Sequence, residues 1–192
     1  MKIGVLALQG DAREHMRALD SAGATPRDVR TAAQLEEVDA LIAPGGESTT
    51  IGKLLNRFEM IEPLKERVTD GMPLFGTCAG LILMATDVVG AQDAPHRIGV
   101  LDVEVRRNAY GRQVDSFESD LRVSGLDGPF TAVFIRAPVI ERVGDGVEIL
   151  ATCDGVPVLV RQGHLIASSF HPEMTGDARL HAMFVEIVRG GR

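Results

Sequence analysis

The sequence is short of several features, and each shortage excludes a class of protein. Its 192 residues include two cysteines, too few for a disulfide framework, which favours a reducing compartment. No apolar run approaches the ~20 residues that a membrane-spanning helix needs. Basic residues are outnumbered by acidic ones, giving a net charge of −7 without a long Lys/Arg cluster. This balance argues against a nucleic-acid partner.

The length and the hydrophobic content of 45% predict one domain with a sizeable core, covering residues 1–192. The first apolar run, Ile3 to Leu8, ends at Gln9-Gly10-Asp11, and no small-residue cleavage site follows it. We therefore expect no secretion signal. The sequence predicts a soluble, cytoplasmic protein.

The first half of the chain alternates between strand and helix signals. Near-continuous apolar runs are typical of parallel strands buried on both faces, and capping residues mark the helix starts between them. This alternation predicts a parallel sheet with right-handed crossovers. The strand signals are Ile3 to Leu8, Thr25 to Arg30, Ala40 to Ala43 and the run before Cys78; the helix starts are Asp11, Thr31, Ser48 and Pro63.

The second half consists mainly of short β-type runs. Asp154-Gly155 is a two-residue hairpin signal, and helical spacing of apolar residues from Leu180 to Val188 predicts a final amphipathic helix. The predicted fold class is α/β: a three-layer, open, mostly parallel sheet flanked by helices, with an antiparallel extension. The β-type runs are Val100 to Val105, Leu121 to Val123, Ala132 to Ile135, Glu148 to Thr152, Val156 to Val160 and Leu165 to Ser168.

Cys78 is the candidate nucleophile. Gly76 and Gly80 flank it in the spacing G-x-C-x-G, the thiol version of a nucleophile elbow, where small neighbours allow a sharp strand-to-helix turn. A thiol on such a turn faces the N–H groups of the next helix, which favour thiolate. The alternative is a structural cysteine buried at a strand end.

His171 is the candidate base. It follows an apolar strand, and alternate residues of an extended segment point the same way, so Glu173 can orient its imidazole. Cys78, His171 and Glu173 would then supply nucleophile, base and orienting carboxylate. The alternative is a surface turn with an incidental His and Glu. The other histidines fit a solvated or packing role better than a catalytic one; they are His15, His96, His164 and His181.

Two glycine turns follow predicted strands. Gly45-Gly46 comes after the run that ends at Ala43, and Gln9-Gly10 comes after the first strand. Backbone N–H groups at such turns can approach a ligand closely, as an oxyanion site requires, although ordinary strand-to-helix turns have the same composition. A phosphate loop is the rival for residues 46–54, but its glycine gap is one residue too long and Leu54 replaces the metal-binding hydroxyl.

A metal site is the competing use of cysteine and histidine. The sequence contains no C-x-x-C or H-x-x-x-H spacing, so we expect no metal. Cys153 fits a strand residue near the Asp154-Gly155 turn.

Taken together, these motifs carry a resemblance that runs from the first strand to the last helix. Gly76-Thr-Cys-Ala-Gly80 with Phe170-His-Pro-Glu173 resembles the triad-type, class I glutamine amidotransferases. Further stretches resemble the glutaminase subunits of two-component pyridoxal 5'-phosphate synthases. Two mild departures are Ala43, where a larger aliphatic residue is expected, and Asp11-Ala12, which replaces more apolar residues. The further stretches are Ile3-Gly-Val-Leu-Ala-Leu-Gln-Gly-Asp11, Arg13-Glu-His15, Pro44-Gly-Gly-Glu-Ser-Thr-Thr50, Arg107-Asn108, Tyr110-Gly-Arg-Gln113, Asp115-Ser-Phe117 and Phe134-Ile-Arg-Ala-Pro138.

The resemblance implies hydrolysis of L-glutamine to glutamate and ammonia through a γ-glutamyl thioester on Cys78. It implies an oxyanion site at the N–H groups of Gly46 and Ala79 and a gating loop at Gln9 and Gly10. It implies no cofactor for this subunit. By the same similarity, the glutamine pocket is formed by Gly46, Glu47, Ser48, Arg107, Ile135 and Arg136.

The implied partner is the barrel-shaped synthase subunit, in a large hetero-oligomer that consumes the ammonia. Docking on the synthase would rearrange the gating loop, so weak activity alone and stronger activity with the partner are expected. Three alternatives stay open: a glutaminase serving another acceptor, a DJ-1-like cysteine hydrolase, and a non-enzymatic binding subunit.

Overall fold

The computed structural model describes residues 1–90, 96–107 and 116–191. Strands and helices alternate through the first half, and strands predominate in the second. The strands are β1 (Lys2–Leu6), β2 (Thr25–Val29), β3 (Ala40–Ala43), β4 (Leu74–Thr77), β5 (Ala85–Val89), β6 (Leu101–Arg106), β7 (Ser116–Arg122), β8 (Pro129–Ile135), β9 (Val139–Val143), β10 (Glu148–Cys153), β11 (Val156–Gln162) and β12 (Leu165–Ser168). The helices are α1 (Ala12–Ser21), α2 (Ala32–Leu35), α3 (Ser48–Arg57), α4 (Ile61–Thr69), α5 (Ala79–Met84) and α6 (Arg179–Gly190), with a 3₁₀ turn at Pro172–Met174.

A central sheet organises the chain. Within the described residues it has seven strands in the order β10-β11-β12-β4-β3-β1-β2. The five strands from β12 to β2 are mutually parallel, and β11 and β10 continue the sheet in antiparallel fashion. The predicted fold class, a mostly parallel α/β sheet with an antiparallel extension, is confirmed.

The sheet is covered on both faces, which explains its apolar strands. On one face, Phe75 of β4 packs in a cluster with Leu19 of α1 and Phe184 of α6. On the other face, Leu74 of the same strand packs in a cluster with Leu55 of α3. Neighbouring residues on a strand therefore point into different cores, as the period of two requires. No helix in the described ranges is long and apolar enough to cross a membrane.

Two smaller sheets extend the molecule, and they contain two strands that the sequence analysis missed. β5, β6 and β9 form one sheet, and β7 and β8 form a hairpin. β9 was missed because it carries Glu141 and Arg142; in the fold Arg106 of β6 pairs with Glu141 at 2.5 Å across the sheet. β5 was missed because it follows α5 without a turn residue.

Local signals at the turns are mostly confirmed. Asp154 and Gly155 adopt positive φ of 50° and 79° between β10 and β11, which is the hairpin conformation expected for this pair. Thr31 caps α2 by accepting a hydrogen bond from the Gln34 N–H. Ser48, however, is not the N-cap of α3. Glu47 is, because its extended backbone lets its carboxylate accept the N–H groups of Thr49 and Thr50.

Three stretches of the resemblance lie partly or wholly outside the described residues. These are Asn108 of the Arg107-Asn108 pair and Asp115 of the Asp115-Ser-Phe117 stretch, together with all of Tyr110 to Gln113.

Phe75→Ala should destabilise the fold strongly. The ring is fully buried and lies 5.6 Å from the Phe184 ring, so truncation leaves a cavity between the sheet and α6. We expect the free energy of unfolding to fall by about 3–5 kcal/mol in urea denaturation. The matched control is Phe58→Ala, which removes a ring that is 48% exposed and should cost less than about 1 kcal/mol. Equal losses in the two variants would contradict this packing.

Candidate active site

Cys78 lies on a strained turn between β4 and α5. Its φ of 48° is positive, which is rare for a residue with a side chain and is typical of a nucleophile elbow. The flanking glycines are required by close backbone contacts. A Cβ on Gly80 would lie 2.0 Å from the carbonyl oxygen of Ala43, and one on Gly76 would lie 2.7 Å from the carbonyl carbon of Gly80. The G-x-C-x-G spacing thus lets β4 turn into α5 against β3.

His171 lies between Cys78 and Glu173. Its Nδ1 is 2.8 Å from Oε1 of Glu173. The Cys78 thiol, which also contacts the Ile135 carbonyl at 3.9 Å, is one of the groups that raise the pKa of the imidazole. The backbone holds the histidine in place, because its N–H donates to the Val133 carbonyl at 2.8 Å. The structure therefore brings together the three side chains proposed as nucleophile, base and orienting carboxylate.

The electrostatics at His171 favour an ion pair with the cysteine. Burial lowers the pKa of His171, but hydrogen bonds with Cys78 and Glu173 outweigh it and raise the pKa to about 10. The imidazole is therefore positively charged at neutral pH. A positive charge beside a cysteine favours the thiolate, which is the nucleophilic form of that side chain.

A cavity of about 520 Å³ opens above Cys78. Cys78 lines the cavity and is 7% exposed. Every pocket residue expected from the sequence lines it, and the structure adds Asp11, Ile82 and Met174. The expected lining residues are Gln9, Gly10, Gly46, Glu47, Ser48, Ala79, Arg107, Ile135 and Arg136.

An ion pair lies at the mouth of this cavity. Arg107 Nη2 is 3.3 Å from Oε1 of Glu47, and the arginine side chain is 20% exposed. Burial raises the pKa of Glu47, but hydrogen bonds from Thr50 and Thr49 outweigh it and lower the pKa. The carboxylate is therefore ionised at neutral pH. The mouth presents both signs of charge, which complements a zwitterionic amino acid.

The loop at Gln9 and Gly10 is tied to the second glycine turn. Gln9 Oε1 accepts the Glu47 N–H at 2.8 Å, and Asp11 N–H donates to the Gly45 carbonyl at 3.4 Å. Space is tight here, since a Cβ on Gly10 would lie 1.8 Å from that carbonyl oxygen. The two loops therefore hold each other at the edge of the cavity.

Ala79 is placed to supply an oxyanion donor. It is the first residue of α5, so its N–H has no partner within the helix. It lies next to the nucleophile, as an elbow requires. Gly46 lines the same cavity from the facing loop, with a positive φ of 146° that suits glycine.

Two buried histidines lie behind the site, and the sequence analysis did not predict them there. His15 Nδ1 is 2.9 Å from Nε2 of His181, and His15 Nε2 lies 3.1 Å from Thr77 Oγ1. His15 Nε2 is also 3.3 Å from Oε2 of Glu173. Both imidazoles are fully buried, so of the solvated and packing roles expected for them the structure agrees with packing.

A sequence signal for this burial did exist. His15 falls three residues after Ala12 and four before Leu19, on the apolar face of α1. His181 falls three residues before Phe184 on the apolar face of α6. Their pairing is not visible in the sequence, because 166 positions separate them.

Burial sets the charge of this histidine pair. It lowers the pKa of His181 to about 4. Burial, followed by the proximity of His181 and His171, lowers the pKa of His15 well below its usual range. Both are therefore neutral at neutral pH, in contrast to His171.

Metal-ligand spacing occurs at one place in the described ranges. Asp11, His171 and Glu173 bring ligand atoms within 4.8 Å of one another. Two of these residues already bond to each other in the candidate triad. The expectation of no metal stays a prediction.

A solved crystal structure of a glutamine amidotransferase has the same fold. It is 55% identical to this chain, superposes with a TM-score of 0.93, and the match covers 97% of this chain and 98% of the other. With the cysteine elbow beneath the cavity, this places the chain in the class of glutamine amidotransferases. More narrowly, the chain belongs to the SNO glutamine amidotransferase family, whose model matches residues 5–189. The resemblance noted in the sequence is confirmed.

Curated relatives narrow the similarity further. The pyridoxal 5'-phosphate synthase subunit PdxT of Parafrankia sp. is 61% identical over 189 residues, covering 98% of this chain and 93% of that protein. The protein of the same name from Mycobacteroides abscessus is 54% identical, covering 98% of each chain.

The buried histidines predict an acid-sensitive fold. The pKa of His181 is about 6.5 in the unfolded chain and about 4 in the folded protein. Between these pH values the unfolded chain binds a proton at His181 and the folded protein does not. The stability that His181 contributes above pH 6.5 is therefore lost as the pH falls towards 4. This residue alone should lower the free energy of unfolding by about 2 kcal/mol between pH 7 and pH 5. Urea denaturation of wild type and His181→Gln at these two pH values measures the difference. Parallel pH dependences in the two proteins would contradict the neutral, buried state.

Proposed function

We propose that this chain hydrolyses L-glutamine to glutamate and ammonia at Cys78 and passes the ammonia to a pyridoxal 5'-phosphate synthase. The observation that carries the proposal is the position of His171, whose Nδ1 lies 2.8 Å from Glu173 Oε1 and whose pKa is raised by the neighbouring Cys78, beneath a cavity in a member of a glutamine amidotransferase family. A nucleophile, a base and an orienting carboxylate form the group that covalent amide hydrolysis needs.

In the first half of the reaction, the Cys78 thiolate attacks the side-chain amide carbon of glutamine. The carbonyl oxygen becomes an oxyanion held by the N–H groups of Ala79 and Gly46. The positively charged His171 gives its proton to the departing nitrogen, so the C–N bond breaks and ammonia leaves. A γ-glutamyl thioester remains on Cys78.

In the second half, water attacks the thioester. His171, now neutral, takes a proton from that water, while Glu173 holds the imidazole by its 2.8 Å hydrogen bond. The C–S bond breaks, glutamate leaves, and the thiolate and imidazolium are restored. No cofactor takes part in this scheme.

The charges at the cavity mouth support glutamine as the substrate. Arg107 and Arg136 can form forked hydrogen bonds with an α-carboxylate, and the ionised Glu47 can pair with an α-ammonium. Ser48 and Ile135 complete the pocket between these groups and the thiol. The substrate would replace the present contact between Glu47 and Arg107.

A synthase partner is supported by the names of the curated relatives, each a synthase subunit. Ammonia that reaches bulk water is lost as ammonium, so a direct transfer favours docking. We assign the partner to the barrel-shaped synthase subunit, in a large hetero-oligomer. Docking would act on the gating loop, where Gln9 is bound to the Glu47 N–H. We place the reaction in the cytoplasm, because a catalytic thiol must stay reduced.

Cys78→Ala should abolish glutamine hydrolysis. The variant lacks the nucleophile but leaves the turn and pocket in place, so we expect turnover to fall by at least about 10⁴-fold. Release of glutamate and ammonia from L-glutamine measures the loss. The matched control is Cys153→Ala, because Cys153 lies on β10 beside Ser119 and outside the cavity; it should keep wild-type turnover. Equal activities in the two variants would overturn the proposal.

The synthase partner should stimulate glutamine hydrolysis. Adding a cognate synthase subunit with its sugar phosphates should raise glutamine turnover at saturating glutamine and yield pyridoxal 5'-phosphate. The stimulation should depend on Cys78, and Cys78→Ala with the synthase is the control. Turnover that requires Cys78 but is indifferent to the synthase would keep the chemistry and assign the ammonia to another acceptor.

A further inference from the structure

We propose that His15 is a positioning residue for the triad carboxylate, and that His181 fixes the tautomer of His15 for that purpose. The proposal rests on the proposed glutaminase function. In this arrangement the N–H of neutral His15 binds Oε2 of Glu173, while Oε1 of Glu173 binds His171.

The geometry places Glu173 between two imidazoles. Oε1 lies 2.8 Å from His171 Nδ1, and Oε2 lies 3.3 Å from His15 Nε2. The side chains of His15 and Glu173 are both 0% exposed. Water therefore does not compete for the contact on the His15 side.

Oε2 of Glu173 needs such a donor. Among the described residues, Oε2 receives no hydrogen bond of normal geometry, and a buried carboxylate oxygen without a donor is costly. The nearby His15 N–H is shared: it lies 3.1 Å from Thr77 Oγ1 and 3.3 Å from Oε2. Catalytic hydrogen bonds that are long in the free enzyme commonly tighten when substrate binds. The contact between His15 and Glu173 could tighten in this way, since Thr77, which shares the His15 N–H, is the last residue of β4 and directly precedes Cys78.

The tautomer follows from the partners. An ionised carboxylate only accepts, so the proposed contact to Glu173 requires the proton of His15 on Nε2. Its Nδ1 is then bare and must accept, which requires a proton on Nε2 of His181 at 2.9 Å. Nδ1 of His181 is bare in turn, in agreement with its lack of a hydrogen-bond partner in the described part of the chain. One arrangement of protons satisfies all three contacts.

Neutrality is what makes this pair suitable. A positively charged group at the position of His15 would compete with the His171 imidazolium for the same carboxylate. Burial keeps both His15 and His181 uncharged, so Glu173 keeps its full charge for His171. An apolar residue at position 15 would avoid the competition but would provide no donor.

The test compares two variants whose side-chain amides replace different nitrogens of the imidazole. In His15→Gln the side-chain nitrogen can reach the position of Nε2 and donate to Glu173, whereas in His15→Asn it reaches only the position of Nδ1. We expect His15→Asn to lower kcat by about 10- to 100-fold with KM changed less than about threefold, because the carboxylate is misplaced rather than the substrate. His15→Gln should recover to within about threefold of wild type. Both are measured with the full chain in its synthase complex.

The control is the same pair in a Glu173→Gln background. If His15 acts through Glu173, the difference between the Asn and Gln variants should disappear there. Melting temperatures of the variants separate a folding defect from this effect. Equal kcat for His15→Asn and His15→Gln, or a difference that persists without the carboxylate, would overturn the proposal.

A second measurement does not depend on turnover. Nitrogen-15 NMR of the imidazoles at pH 7 should show His15 neutral with its proton on Nε2, and His181→Leu should release that tautomer. A charged His15, or a proton on its Nδ1 in the wild type, would overturn the proposal. If Cys78→Ala retains glutamine turnover and the proposed function fails, the tautomer still decides the role of His15 towards Glu173.

Discussion

The backbone turn at Cys78 is the constraint on which the rest of the site depends. β4 becomes α5 within one residue at a positive φ, and this is possible because Gly80 lets the helix lie against the Ala43 carbonyl. The thiol is thereby held at the carboxyl end of the sheet, where the neighbouring strands also end. β12 pairs with β4 in parallel through Ser168 and Thr77, so the segment after β12 delivers His171 to the same edge. Cys78 and His171 meet because two adjacent parallel strands end together.

Burial lowers the pKa of His171, His15 and His181 alike, but their neighbours lead to opposite charge states. His171 lies next to negative partners, and they outweigh burial and keep it charged. His15 and His181 are fully buried behind the cavity, and there burial dominates over their polar contacts, so they stay neutral. Glu173 thus lies between one charged and one neutral imidazole. The two environments thus give the same side chain a different charge at neutral pH.

Much of the fold could be predicted because its parallel strands are buried on both faces. Ala40–Ala43 and Leu165–Ser168 are apolar at nearly every position, and the structure has both with the predicted bounds. β9 could not be predicted in this way, since Glu141 finds its cation on β6, 35 positions away. A charged residue that is neutralised by a distant partner has no local signature of a strand.

Some residues of the site could likewise be predicted from the sequence, and others could not. His171 and Glu173 could be connected from the sequence because they are two residues apart on an extended segment. Cys78 could be singled out by its glycines. His15 and His181 lie on helices at opposite ends of the chain, and their contact exists only because α1 and α6 cover the same face of the sheet. Helical periodicity could have shown that each is buried, but not what each one contacts.

Helix α1 links the two sides of the triad carboxylate. Asp11, immediately before it, places its carboxylate 3.6 Å from His171 Nδ1, and His15 lies one turn later beside Glu173. These contacts differ in strength because Asp11 is 42% exposed, so water screens its charge, whereas His15 is fully buried. The gating loop at Gln9 and Gly10 runs directly into this first turn. The first turn of α1 therefore supplies both a half-exposed contact to His171 and a fully buried contact to Glu173.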